Sequence, residues 1–69
     1  MDQKDLIDRL HTAVALLDLK HQVSEIFFDT EEDIVTIQLH IGVDKIQFYT
    51  AVESTDMLKK DDQITISWI

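Results

Sequence analysis

The chain has 69 residues, 14 of them acidic and 6 basic, for a formal net charge of −8. That length holds a single domain, 1–69. An apolar share of 45%, with no run approaching the ~18–20 residues that span a bilayer, excludes a disordered chain and a membrane helix. Zero cysteines exclude a disulfide scaffold and thiolate zinc sites. No basic region followed by an apolar stretch opens the sequence, so a cytoplasmic location is expected.

The first element is a helix over 2–21. Leu6, Ile7, Leu10, Ala13, Val14 and Leu17 recur at three- and four-residue steps and share one face. Asp2 and Asp5 near its start and Lys20 and His21 near its end suit the helix dipole. Asp5 and Arg9 are spaced to pair. Leu16 and Leu19 fall off the apolar stripe, which points to early termination, a covering strand or an intermolecular contact.

From Val23 the period becomes two. Val23–Asp29 reads as a strand, and Val35, Ile37, Leu39 and Ile41 alternate with polar residues. A turn around Glu31-Glu32 sets Phe28 opposite Val35 and Ile26 opposite Ile37. Ile46, Phe48 and Thr50 also alternate with Lys45, Gln47 and Tyr49, so a third strand is expected there. A two-residue hairpin at Gly42-Val43 then sets Leu39 opposite Ile46 and Ile37 opposite Phe48. Ser54 or Thr55 can cap a short helical turn through Lys60, with Met57 and Leu58 tucked onto the core. Ile64, Ile66 and Trp68 alternate in a last strand, which can pair with either edge. Its Trp68 is expected in the core, or else as an interface anchor. The fold class is therefore α+β: one N-terminal helix packed on a mainly antiparallel sheet of about four strands.

This register sets Phe27, Thr36 and Tyr49 in one row on the outward face, with Ile34 beside it. A solvated face would be polar throughout, so Phe27, Ile34 and Tyr49 are candidates for partner binding or self-association. Cross-strand aromatic packing or cover by the C-terminal segment would explain the same row.

The densest charge is the run Asp29, Glu31, Glu32, Asp33. It lacks the alternating ligands, central glycine and terminal glutamate of a calcium loop, and its reading is a solvated turn or an acidic partner-binding tip. His11 and His21 are ten apart, whereas helical metal pairs need three or four. No serine sits in a nucleophile elbow, and one glycine cannot build a phosphate cradle. No enzyme, cofactor or metal is expected. Six scattered basic residues cannot displace counterions from nucleic acid or hold an anionic membrane.

The function expected is a small acidic protein-interaction module. It would act as an inhibitor that masks a basic nucleic-acid-binding surface on a partner protein, with carboxylates standing in for phosphates. Small acidic cysteine-free inhibitors of phage and mobile-element type offer the analogy of composition. The alternative is a homo-oligomeric building block or assembly subunit, since a chain this short buries only about 60% of its unfolded surface and gains from an added interface.

Overall fold

A computed structural model describes residues 3–69; Asp2 lies outside them. Helix α1 spans Gln3–Leu16 and buries Leu6, Leu10, Ala13 and Val14. It stops five residues short of the expected 2–21. Asp18 adopts the left-handed conformation at φ 57. Around it, the Asp18 N–H donates to Ala15 O (3.2 Å) and the Leu19 N–H to Val14 O (3.0 Å). That pair of bonds is a Schellman closure, with Asp where glycine is usual. It accounts for the two odd leucines. Leu19 has left the helix and packs against the core beside Val14, while Leu16 stays exposed. Residues Lys20–Gln22 form one 3-10 turn leading into the sheet.

Strands β1 (Val23–Asp29) and β2 (Ile34–Leu39) pair antiparallel. Ile26 lies opposite Ile37 and Phe28 opposite Val35, as the turn at Glu31-Glu32 implies, with a bulge between Val23 and Glu25.

The chain then departs from a meander. The Val43 N–H donates to His40 O (3.2 Å), and Gly42 takes φ 101 in that turn. A β-turn that needs positive φ at its third residue favours glycine there. Instead of a third consecutive strand, Lys45–Glu53 forms helix α2. Its cap is Asp44, whose Oδ1 accepts the N–H groups of Ile46 (2.9 Å) and Gln47 (3.1 Å). Phe48 and Val52, one turn apart, are buried, whereas Ile46 is 79% exposed. The alternation of Ile46, Phe48 and Thr50 is therefore coincidental; the burial period is four. Ser54 and Thr55 do not start a new helix. Their hydroxyls donate to Ala51 O (2.6 Å) and Val52 O (2.7 Å) at the end of α2.

Strand β3 (Ile64–Trp68) pairs with β2, parallel to it, and the sheet order is β1-β2-β3. Parallel neighbours require a crossover, which α2 supplies. Ile66 and Trp68 thus occupy the places beside Ile37 and Leu39 that Phe48 and Ile46 were expected to fill. The class is α+β, with three strands rather than about four.

One apolar cluster joins Leu6, Leu10, Ala13 and Val14 of α1, Phe48 and Val52 of α2, and Ile26, Val35, Ile37 and Leu39 of the sheet. Both helices therefore share one sheet face. Leu58 and Met57 bring the α2–β3 loop onto the same core. Arg9 fastens that loop. Its guanidinium donates to Asp62 (2.7 and 3.3 Å), to Met57 O (2.6 Å) and to Asp5 (3.0 Å). The Asp62 side chain is 3% exposed, and its Oδ2 also accepts the Lys59 N–H (2.8 Å). Hydrogen bonding from Arg9 holds the Asp62 carboxyl below the usual carboxylate range, against the opposing effect of burial.

Candidate functional site

The acidic tip is an ordered turn. Asp29 closes β1, and its Oδ1 accepts the Glu31 N–H (2.9 Å) and the Glu32 N–H (3.2 Å). This is an Asx turn, so Asp29 shapes the loop. Asp33 completes it at φ 57. Glu31, Glu32 and Asp33 are exposed.

The parallel pairing of Val35 with Ile64 carries the α2–β3 loop to the same end of the molecule. Asp61 arrives with it. Asp33 and Asp61 line one cleft of about 280 Å³, together with Gln3, Leu6, Phe28, Ile34, Val35 and Gln63. Exposed carboxylates from two loops thus flank a partly apolar recess. Among the described residues, the ion pairs shown are those of Arg9 with Asp5 and Asp62, and none involves Glu31, Glu32, Asp33 or Asp61. Asp61 was not foreseen as a neighbour of the tip, because its position depends on which edge β3 joins.

The outward row is only partly assembled. Phe27 pairs with Thr36, and Ile34 pairs with Asp29 in the adjoining row. Tyr49 is not there. It lies on α2, in the layer across the sheet, because residues 45–53 are helical. Thr65 of β3 takes the place beside Thr36. Thr36 is buried in the central strand without a helix over it, while Phe27 and Ile34 are half-buried. The face is less apolar than the Phe27–Thr36–Tyr49 row implied.

The opposite end of the molecule has another character. Trp68 is 51% exposed rather than in the core. Its indole N–H donates to Val43 O (2.8 Å), and Lys45 Nζ lies 4.2 Å from the ring centroid, within cation–π range. Ile41, Ile46 and Ile69 are also exposed there, and Ile46 and Trp68 line one shallow hollow with Gly42, Val43, Asp44 and Lys45. The alternation that put Trp68 in line with Ile64 and Ile66 was right about its face. It could not show that the core ends before position 68.

His11, His21 and His40 are exposed and far apart in the chain. Among the described residues no group of three or more His, Cys, Asp or Glu side chains could hold a metal ion, and no helix is long and apolar enough to cross a membrane. Comparison with protein-family models, curated proteins and solved structures gives no match.

Proposed function

We propose that this chain is a non-enzymatic interaction module whose acidic end covers a basic, nucleic-acid-binding surface of a partner protein. One observation carries the reading: Glu31, Glu32, Asp33 and Asp61 gather from two loops at one end, exposed and outside the Arg9 ion pairs shown among the described residues. A net charge of −8 steers such a surface toward cationic grooves. The recess between Asp33 and Asp61 suits the stem of a lysine or arginine, with its apolar part against Phe28 and Ile34 and its charge at the carboxylates. A partner so covered loses access to phosphate.

The test is a tagged pull-down from a lysate of the source organism, eluted by rising salt, with the eluate identified by mass spectrometry. The expected partner is a basic nucleic-acid-binding protein that leaves the resin as salt rises, since exposed charge pairs are screened. The Glu31→Gln/Glu32→Gln/Asp33→Asn variant should release it at lower salt, and DNA should compete with the wild type for it. If the triple variant retains the partner as well as the wild type does, the reading fails.

A further inference from the structure

The two edges of the sheet are not alike. Natural edges are protected by bulges, charges or proline. The β1 edge has a bulge at Val23/Glu25 and two carboxylates, Glu25 and Asp29, along its length. The β3 edge has none of these. Residues 63–69 read Gln-Ile-Thr-Ile-Ser-Trp-Ile, with no charged side chain, and pair with β2 in unbroken register. The Ile69 N–H donates to Leu39 O (3.0 Å). Backbone groups alternate in direction along a strand, so Thr65 and Ser67 also face β2. The N–H and C=O groups of Ile64, Ile66 and Trp68 therefore point outward from the sheet. Such a row takes an extended strand.

We propose that the occupant is β3 of a second copy of this chain, antiparallel across a two-fold axis at Ile66, giving a continuous six-stranded sheet. The inference is independent of the acidic-end reading. Two observations select a second copy. First, this strand is its own complement. Pairing about Ile66 sets Ile66 on Ile66 and Ile64 on Trp68, and these are the residues whose backbone groups are free to bond. It also lays Ile64 of one copy against the half-exposed Trp68 of the other. Second, the charges are arranged for it. Glu31, Glu32, Asp33 and Asp61 lie at the Ile64 end of the strand, whereas Asp44 and Lys45 at the Trp68 end offset each other. An antiparallel dimer carries the two acidic ends to opposite extremes and sets each beside the less charged Trp68 end of the other copy. A parallel arrangement would stack them. A standard interface takes about 800 Å² from each partner, about one sixth of the 4694 Å² surface.

The register makes the test specific. Thr65 of one copy falls opposite Ser67 of the other, at the ~4.5 Å Cα separation of a non-hydrogen-bonded pair, which a disulfide can bridge. Both side chains point away from the helices, and the chain has no cysteine of its own. Thr65→Cys and Ser67→Cys chains are mixed and oxidised mildly, and the products are weighed by mass spectrometry. The mixed disulfide should exceed the one-half share that random pairing gives. Sedimentation equilibrium of the wild type should show mass rising toward twice 8.0 kDa with concentration. The Thr65→Lys/Ser67→Lys variant, which sets like charges opposite each other, should remain monomeric with an unchanged circular dichroism spectrum. A wild type still monomeric at about 1 mM overturns the proposal and leaves the edge to an extended segment of another protein. A mixed disulfide at the random share overturns it as well.

Discussion

Replacing Arg9 by methionine should be among the most damaging single changes on the polar side of this fold. Methionine keeps most of the aliphatic stem and removes the charge. The structure then holds Asp62, 3% exposed at its side chain, without the guanidinium that donates to both of its oxygens. It also loses the bond to Met57 O. Breaking a buried pair from one side costs about 3–5 kcal/mol. The Arg9 side chain retains 18% exposure, so water relieves part of this and about 3 kcal/mol is expected. A domain of this length is stable by roughly 3–10 kcal/mol, so much of the margin would go. Urea unfolding followed by circular dichroism near pH 7 measures it. The pH dependence supplies a second check. The folded Asp62 carboxyl titrates below its usual range, chiefly through Arg9. Its contribution is complete above the unfolded value of about 3.9 and is lost as pH falls through the lower folded value. The gap between wild type and Arg9→Met should therefore narrow as pH drops from about 5 toward 2. Adding Asp62→Leu to Arg9→Met should restore stability, because an apolar pair of similar volume often replaces a buried ion pair without loss. A cost under about 1 kcal/mol near pH 7, with no narrowing in acid, would refute the reasoning.

Helix α2 can be checked by two substitutions that a strand at 45–50 would treat alike. Phe48→Ala should cost about 3–5 kcal/mol, because Phe48 is 2% exposed in the core, while Ile46→Lys should change stability by less than about 0.5 kcal/mol; similar costs in thermal melts would contradict the helix. Asp44→Ala removes the acceptor for the Ile46 and Gln47 N–H groups and should lower stability by about 1 kcal/mol, read from the shift in urea midpoint at constant slope.

The hairpin was legible because its evidence is local. One face of β1 and β2 is buried, a one-residue slip would expose Ile26 and Ile37 together, and the turn residues lie between them. Helix α2 was missed for a reason equally local. Ile46, Phe48 and Thr50 alternate by chance, and in a segment this short the alternation outweighs the better clue, an aspartate directly before Lys45, where the helix begins. That single error produced the surplus strand, displaced Tyr49 into the outward row and filled the place of β3. The Arg9–Asp62 bond and the meeting of Asp61 with Asp33 are of another kind. They join residues far apart in sequence through the parallel pairing of β2 with β3, and no local period encodes which edge a strand will join. The acidic tip itself was readable as a cluster, although Asp29 proves to be committed to shaping the turn.

Three aspartates, Asp18, Asp33 and Asp56, hold left-handed backbone at φ 57, 57 and 64, in a chain with only one glycine. Aspartate tolerates that region better than most residues do. Part of the negative charge therefore doubles as the chain's means of changing direction. Charge and path are consequently not separate inheritances in this molecule. Asparagine, which also accepts left-handed backbone, could replace all three and bring the net charge from −8 three units closer to zero while the turns persist. A lineage that diluted its acidity with β-branched or bulky residues at these positions, rather than with asparagine or glycine, would have to surrender the bends as well.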